Sequence, residues 1–320
     1  MLTGLTEKVL RGELLSKEDA HLLAYLEESF LFRLFCAAAE IRERFRGRDV
    51  DLCAVVNAKS GACPEDCSYC AQSKQSNAEI PMYPLMKRDE VIKRALEARD
   101  AGVRRFSIVT GGRKAGKGEL REIGSMVQEV RRIGLLPCAS LGLLDGEELS
   151  LLKERGLERY HHNLETSERC FSKVCSTHTY GDKVRTIEAA RKVGLSVCSG
   201  GIFGLGESWQ DRIDMAFALQ GLGVDSVPVN FLIAVKGTPL EAQAPLHPFE
   251  ALKIISLCRF IMPENEIRVC GGRRQNLGEF NSFVFMVGAD SLLTGNYLTT
   301  KGTPYEDDLR LIQHYGLSIK

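Results

Sequence analysis

The segment EVIKRALEARDAGVRRFSIVTGG, residues 90–112, contains the pattern that decides the fold. An amphipathic helical stretch runs up to Gly102, and a short run of β-branched and apolar residues follows it. Glycine at such a position allows the left-handed backbone that closes a helix before a strand begins. The segment therefore predicts one helix followed by one buried strand.

The same pattern recurs in four later segments, each with a glycine between the helical and the apolar part. These glycines are Gly134, Gly156, Gly194 and Gly223. The spacing of all five glycines averages about 30 residues, the size of one strand-and-helix unit. Helices that alternate with buried strands imply a parallel sheet, and this many consecutive units predict an α/β fold of the (β/α)8 TIM-barrel type.

The helical pattern of residues 1–45 predicts an N-terminal extension that precedes the barrel. No Pro/Ser-rich linker or low-complexity tract divides the chain, so residues 1–320 are expected to form a single domain. The predicted strands lie near residues 53–58, 104–110, 136–141, 159–164, 196–203, 226–233 and 266–271, with an eighth around 284–293.

Composition excludes several classes of function. The 42 basic and 42 acidic side chains balance, which leaves no electrostatic basis for binding nucleic acid or an anionic membrane. Charges interrupt the N-terminal 32 residues too often for a signal peptide or a membrane span, so a cytoplasmic protein is expected. In that compartment the 11 cysteines are not expected to form a disulfide framework, and clustered cysteines are expected to bind metal or do redox chemistry.

The stretch GACPEDCSYCAQS, residues 61–73, follows the first predicted strand and carries three thiols, Cys63, Cys67 and Cys70. Structural zinc usually takes four protein ligands in two separated pairs. Three thiols on one loop instead suit three corners of a 4Fe-4S cluster and leave one iron open. The loop also lies at the carboxyl end of a strand, where barrel enzymes carry their chemistry.

The C-x3-C-x2-C spacing, with an aromatic residue before the last cysteine, resembles the radical S-adenosylmethionine enzymes. The resemblance implies that the open iron binds S-adenosylmethionine and that one electron cleaves this cofactor to a 5'-deoxyadenosyl radical. It also implies that Tyr69 contacts the adenine. One alternative from another class is a non-catalytic iron-sulfur or zinc-binding module. The other is a P-loop nucleotidase built on Lys117 in GGRKAGKG, residues 111–118, although this stretch lacks the Ser or Thr of a phosphate-binding loop.

Four further stretches, YHHNLETS, VCSGGIFGLGES, SVPVNFLIAVKGTPL and FMVGADSLLTGNYLTT, are similar to those of the biotin synthase family. The resemblance implies radical-mediated sulfur insertion between C6 and C9 of dethiobiotin. It also implies a flavodoxin or ferredoxin-type electron donor and a homodimer. The alternative within radical enzymes is a barrel of the hydrogenase-maturase or methylornithine-synthase type, which need not donate sulfur.

A second set of cysteines falls on alternate predicted strands. Cys138 and Cys198 each lie four residues after the glycine that precedes their strand, so they reach equivalent heights. Cys270 lies on the seventh predicted strand, and Arg268 faces the same way because residues i and i+2 share a face. Side chains of one barrel layer come from alternate strands, so these thiols are expected to converge.

The resemblance implies an auxiliary 2Fe-2S cluster, the sulfur donor, held by three cysteines and an arginine. Cys138, Cys198 and Arg268 match this set, but Ser107 stands where the family has its other cysteine. We therefore expect an altered ligand set, in which Cys138, Cys198 and Cys270 hold a four-iron cluster whose open iron can carry an extra sulfide. Arginine keeps its proton at pKa values above 12, so Arg268 is expected to be a nearby charge. A two-iron cluster that uses Arg268 is the alternative.

The resemblance also assigns polar residues near the mouth of the barrel. Asn163 and Asn230 are expected near the ureido ring of the substrate, and Glu165 near the ribose or amine of the cofactor. Lys183, with Arg185 as its rival, is expected to pair with the cofactor carboxylate. The predicted neighbours of the nucleoside are Ile202 and Phe203. Five cysteines receive no role: Cys36, Cys53, Cys170, Cys175 and Cys258. Of these, Cys170 and Cys175 are expected on a loop near the mouth.

Overall fold

The computed structural model describes residues 1–320 and has a barrel of parallel strands at its centre. Strand β1 pairs with β2 on one side and with β9 on the other, which closes the barrel and confirms the predicted (β/α)8 class. The strands are β1 (Asp49–Lys59), β2 (Arg105–Thr110), β3 (Leu136–Ser140), β4 (Arg159–His161), β5 (Ser196–Cys198), β6 (Gly201–Phe203), β7 (Ser226–Phe231), β8 (Glu266–Val269), β9 (Ser291–Leu293) and the short outer β10 (Ser318–Ile319).

Helices connect the strands. They are α4 (Arg88–Asp100), α5 (Lys117–Arg132), α6 (Gly146–Glu154), α7 (Glu168–Phe171), α8 (Tyr180–Lys192), α9 (Trp209–Leu222), α10 (Pro248–Ile261), α11 (Arg273–Leu277) and α12 (Tyr305–His314), with a 3-10 helix at Gly278–Phe283. The five glycines of the repeat all have positive φ, between 60° and 96°. This confirms the conformation predicted for them at the ends of the helices.

Helices α1 (Leu2–Leu10), α2 (Lys17–Ala24) and α3 (Leu31–Arg46), with a 3-10 turn at Glu28–Phe30, confirm the predicted helical extension. Leu34 and Phe35 of α3 belong to the same hydrophobic cluster as Ile108 and Phe106 of the barrel, a cluster of 69 buried residues. The extension is therefore packed on the barrel by a shared apolar core.

Asp290, immediately before β9, ties this extension to the barrel. Its carboxylate accepts hydrogen bonds from Arg259 of α10 at 2.6 Å, from Arg46 of α3 at 2.7 Å and from the backbone N–H of Ile267 at 2.8 Å. Arg259 and Asp290 are almost fully buried. One side chain thus joins two helices to the last strands of the barrel.

Six predicted strands agree with the observed ones to within four residues at each end, and two depart further. The fifth is divided into β5 and β6, because Gly200 lies so close to β7 that a Cβ atom on it would be 2.0 Å from the carbonyl oxygen of Pro228. The eighth is only β9, because the chain turns at Gly288, whose φ is 102°. A side chain at Gly288 would collide with Arg259, so the turn packs directly on α10.

The amino ends of the strands form a floor of buried ion pairs. Arg268 of β8 pairs with both Asp51 of β1 and Glu266 of β8. Arg105 also contacts Asp51, at 3.1 Å, and Arg159 contacts Glu266 at 3.0 Å. Burial raises the pKa of Glu266, but Arg268 and Arg159 outweigh it and hold that pKa well below its usual value. The floor is thus charged yet internally paired.

No helix of the chain combines the length and the apolar character needed to cross a membrane.

Candidate active site

A cavity of about 420 Å³ occupies the barrel interior and extends to the carboxyl ends of the strands. It brings together most of the residues predicted from the sequence. The predicted residues that line it are Cys63, Cys67, Tyr69, Cys70, Cys138, Asn163, Glu165, Lys183, Cys198, Ile202, Asn230, Arg268 and Cys270.

The loop of residues 61–73, here the thiol loop, is fixed at its start by Gln72. The Gln72 side-chain oxygen accepts from the N–H of Gly61 at 3.0 Å, and the Gln72 carbonyl accepts from the N–H of Cys63 at 3.2 Å. Ala62 between them has φ 51°, a left-handed conformation that costs a non-glycine residue of order 1–3 kcal/mol. The surrounding hydrogen bonds hold this strained turn, which presents Cys63 to the cavity.

The middle of the thiol loop is held by residues 175–178, which lie between α7 and α8. Asp66 accepts hydrogen bonds from the N–H groups of Ser176 and Thr177 at 2.9 and 3.2 Å. It also accepts from the Cys175 thiol at 3.1 Å. Burial raises the pKa of Asp66, but these hydrogen bonds outweigh it and lower that pKa well below its usual value. The carboxylate stays ionised and anchors the loop.

The three thiols of the loop have raised pKa values. Burial is the first cause for each of them and brings the pKa of Cys70 to about 11. Metal binding requires thiolates, so loading the site with iron must release these protons. Three thiols that share one cavity, with open space on their inner side, fit a 4Fe-4S cluster that leaves one iron accessible.

Cys175, which had no predicted role, lies beside the thiol loop. Its Sγ is 3.7 Å from Cys67 Sγ and 3.3 Å from His178 Nδ1, so these three could also hold a metal ion. That arrangement would withdraw Cys67 from Cys63 and Cys70. Sequence spacing gave no sign of it, because α7 and the turn after it bring the two segments together.

The predicted cofactor contacts meet at the ends of β4 and β6. Glu165 adopts φ 74°, and its backbone bonds to the N–H of Ile202 and to the carbonyl of Gly200, which joins β4 to β6. Lys183 Nζ lies 3.9 Å from Glu165 Oε1 and donates to the Asn163 carbonyl at 3.1 Å. Strained non-glycine residues cluster at functional sites, and this one is held by β6 and the residue that precedes it.

Two predicted cofactor residues do not reach the cavity. Adjacent residues in a strand face opposite ways, so Ile202 lines the cavity while Phe203 packs on Phe231 in the core. Arg185 is exposed on α8 and pairs with Asp182 one turn earlier. Lys183, two residues before it, points to the cavity instead.

Both predicted substrate residues line the cavity and are fixed by backbone groups. Asn163 Oδ1 accepts from the N–H of Gly200 at 3.1 Å. Asn230 Oδ1 accepts from the N–H of Gly271, and Asn230 Nδ2 donates to the carbonyl of Gly201, both at 3.1 Å. An amide group has two N–H donors, so Asn230 keeps one for a ligand.

Cys138, Cys198 and Cys270 are buried and line the same cavity, with Ser107 beside Cys138 on the neighbouring strand. His161 Nδ1 lies 3.3 Å from Cys198 Sγ, and burial lowers the pKa of His161 to about 4, so this ring is neutral near pH 7. Cys53 of β1 also faces this region. Strand alternation within residues 49–59 is the signal by which it could have been found.

Both terminal nitrogens of the Arg268 guanidinium are hydrogen-bonded within the floor. The guanidinium bonds to the carboxylates of Asp51 and Glu266 and donates to the Leu292 carbonyl at 3.1 Å. Burial lowers the pKa of Arg268, but the two carboxylates outweigh it and raise that pKa well above its usual value. Arg268 is therefore a cation that carries no free lone pair.

The glycine-rich stretch 111–118 does not form a phosphate site. Glu119 occupies the N-terminus of α5, where its carboxylate accepts from the N–H of Gly116 at 2.9 Å and pairs with Lys59 at 2.7 Å. A phosphate would have to displace this carboxylate.

Family comparisons agree with this geometry. Residues 58–219 match the Radical SAM superfamily, and residues 228–318 match the Biotin and Thiamin Synthesis associated domain. The barrel, the thiol loop and these two matches define a radical S-adenosylmethionine enzyme, which uses a 4Fe-4S cluster and S-adenosylmethionine.

Comparison with individual relatives identifies the family within this class of enzyme. The chain is 53% identical over 298 residues to a biotin synthase of Thermodesulfovibrio yellowstonii, covering 93% of this chain and 94% of the relative. It is 43% identical over 320 residues to that of Pelotomaculum thermopropionicum, with all of both chains covered. The chain belongs to the biotin synthase family.

Solved structures show the same fold at lower identity. Methylornithine synthase superposes with a TM-score of 0.84 at 23% identity, over 99% of this chain and 97% of that one. An FeFe-hydrogenase maturase from Carboxydothermus hydrogenoformans gives 0.83 at 17% identity, over 99% and 78%. These two likenesses concern the fold alone.

Proposed function

We propose that this enzyme inserts sulfur into dethiobiotin to form biotin by placing the substrate between two groups of thiols in one cavity. The observation that carries the proposal is that the thiol loop and the buried cysteines of the barrel line the same 420 Å³ space. Cys63, Cys67 and Cys70 would hold a 4Fe-4S cluster, which would supply the electron that cleaves S-adenosylmethionine.

Four residues are proposed to hold S-adenosylmethionine beside the thiol loop. Tyr69 lines the cavity next to two of the cysteines and offers a ring for the adenine. Glu165 is proposed for the ribose or the amine, and Ile202 for the nucleoside. Lys183 is proposed to pair with the carboxylate as a point charge. Arg185 and Phe203 are left out, because one is exposed and the other faces the core.

Asn163 and Asn230 are proposed to recognise the ureido ring of dethiobiotin. Both amides are already oriented by backbone partners, so little side-chain freedom is lost when substrate binds. A buried ureido group needs donors and acceptors of its own, because an unpaired one costs about 1–3 kcal/mol.

The auxiliary iron-sulfur cluster is proposed to lie on Cys138, Cys198 and Cys270, with Arg268 as a neighbouring charge. The two carboxylates that bind Arg268 support this role, because they keep the guanidinium protonated. A neutral serine at position 107 is a poor substitute for a thiolate. We favour a four-iron cluster over 2Fe-2S, and the altered ligand set is part of the proposal.

Two variants test the function. Replacing Cys63, Cys67 and Cys70 together with alanine should abolish formation of 5'-deoxyadenosine under anaerobic, reducing conditions. Cys138→Ala should still form 5'-deoxyadenosine but no biotin. Undiminished cofactor cleavage in the first variant, or undiminished biotin formation in the second, would reject the proposal.

The alternative is a barrel enzyme of the hydrogenase-maturase or methylornithine-synthase type, which need not donate sulfur. The second group of thiols argues against it, since radical generation alone gives these buried cysteines no task. Anaerobic incubation with dethiobiotin, followed by identification of the product, separates the two.

The remaining parts of the proposal concern the whole enzyme. We propose a flavodoxin or ferredoxin-type electron donor, a homodimer, a cytoplasmic location and one domain over residues 1–320. The shared core of α3 and the barrel supports the single domain. The exposed rings of Tyr25 and Phe32 on the N-terminal helices offer an apolar surface for a second copy.

A further inference from the structure

Cys53 is a buried thiol that faces the same cavity as the barrel cysteines. It lies in β1, and its sequence neighbours Leu52 and Ala54 face the opposite way, into the hydrophobic core. The thiol has one weak hydrogen bond, 3.7 Å to the carbonyl of Ala54. Packing therefore leaves this sulfur without a strong partner inside the cavity.

Cys53 shares this cavity with the residues of the proposed auxiliary site. Cys138, Cys198, Cys270 and Arg268 all line it. The four thiols thus face one common space.

Barrel geometry explains why these four meet. Counted around the barrel, β1, β3, β5 and β8 are the first, third, fifth and seventh strands, because β6 continues β5. A layer of a closed eight-stranded barrel takes four side chains, one from each alternate strand. The strand register puts Cys53, Cys138 and Cys198 in one such layer, with Arg268 as its fourth member. Cys270 is two residues after Arg268 and faces the same way, so its thiol lies one layer nearer the mouth, above the other three.

We propose that Cys53 is the fourth thiolate ligand of the auxiliary iron-sulfur cluster. The inference rests on the proposed function, and it replaces the open iron expected from the sequence by a complete set of four thiolates. Four cysteines are the usual ligand set of an iron-sulfur cluster, so neither Ser107 nor Arg268 is needed. A cluster on four thiolates is anionic, and the floor below it has three arginines against two carboxylates.

The test uses the full chain with Cys63, Cys67 and Cys70 replaced by alanine, so that only the auxiliary cluster can bind iron. After anaerobic reconstitution with iron-57 and sulfide, adding Cys53→Ala should remove at least about one of four irons. Cys53→Ser, which keeps the size of the side chain, should give a new Mössbauer doublet for an iron with oxygen in place of sulfur. Cys258→Ala is the matched control, because Cys258 is equally buried but lies in α10, away from the cavity.

Iron content and Mössbauer spectra identical to the parent in both Cys53 variants would overturn the inference. If Cys53→Ala does not fold, as judged by circular dichroism, Cys53→Ser alone decides. Cys138→Ala in the same background distinguishes failure of the role proposed for Cys53 from failure of the proposed auxiliary site. Loss of iron in Cys138→Ala but in neither Cys53 variant rejects only the role of Cys53, whereas iron unchanged in Cys138→Ala rejects the auxiliary site itself.

Discussion

Asp66 shows how a single residue can control the thiol loop without touching iron. It lies next to Cys67 in sequence, is buried, and accepts all its hydrogen bonds from residues 175–177. A carboxylate in this position fixes the loop before any metal arrives. Its replacement therefore tests how much of the metal affinity comes from a preformed loop.

Asp66→Asn should weaken retention of the 4Fe-4S cluster. The new amide N–H group would face hydrogen-bond donors of residues 175–177, which now donate to the Asp66 carboxylate. Hydrogen bonds to a charged group contribute about 1.5–3 kcal/mol, so iron should be lost to a chelator about tenfold faster or more. The measurement is the rate of bleaching of the cluster absorbance under anaerobic conditions. Glu168→Gln, an exposed acid of α7, is the control. Equal rates in Asp66→Asn and the parent would contradict the role of Asp66.

Asn230→Ala should weaken dethiobiotin binding by roughly 10- to 100-fold, because the ureido group loses a buried partner. Equilibrium binding in the presence of S-adenosylmethionine measures the effect. Asn296→Ala removes an exposed amide outside the cavity and should bind normally. An unchanged affinity in Asn230→Ala would remove that residue from substrate recognition.

For single residues, the sequence predicted the chemical role of a side chain more accurately than the direction in which it points. The spacing of Cys63, Cys67 and Cys70 is local, so one loop brings them together whatever surrounds it. Phe203 was placed in the site by its neighbourhood, although strand alternation lets only Ile202 face inward. Cys175 could not be found, because its contact with Cys67 depends on how two distant loops pack.

At the scale of elements, the repeat of helix, glycine and strand was readable because each unit repeats the same local physics. What it could not give was the break between β5 and β6. That break arises from the close approach of Gly200 to Pro228 of the neighbouring strand, a contact between segments 28 residues apart. The break also leaves Gly201 free to accept from Asn230 and brings Ile202 to the cavity.

Gly200→Ala should destabilise the enzyme by about 3 kcal/mol or more, because the new methyl group would overlap the Pro228 carbonyl and backbone cannot move aside cheaply. Gly221→Ala is a matched control, for which a change in stability of the opposite sign is expected. Gly221 lies within α9 with open space around it, so alanine there should stabilise by about 0.5–1 kcal/mol. Anaerobic urea unfolding measures both. A Gly200 variant as stable as the parent would show that the strands separate readily.

At the scale of the whole molecule, the barrel is closed by its last strands. Residues 228–318, which match the biotin and thiamin synthesis associated domain, supply most of β7 and all of β8 and β9. Asp290 then links β9 to α10 and to the N-terminal extension. The closure was predictable from the number of repeats, whereas this link was not, because its partners lie far apart in sequence.

Asp290→Asn should cost about 3–5 kcal/mol of unfolding free energy, because the fully buried Arg259 would lose its only carboxylate partner. Arg46→Ala removes the more exposed partner of the same carboxylate and should cost about 1 kcal/mol or less. Anaerobic urea denaturation followed by circular dichroism compares the two. Equal losses in both variants would show that burial of Arg259 does not set the cost.

The floor of ion pairs has a consequence for the order of events in catalysis. A molecule entering from that side would have to separate Arg268 from Asp51 and Glu266. Molecules therefore reach and leave the barrel cysteines through the mouth, past the thiol loop. In the proposed reaction, sulfur given to one product can be restored only after that product and the cofactor fragments have departed. Catalytic turnover and replacement of the cluster sulfur therefore cannot occur at the same time. A product that dissociates slowly delays the replacement of that sulfur.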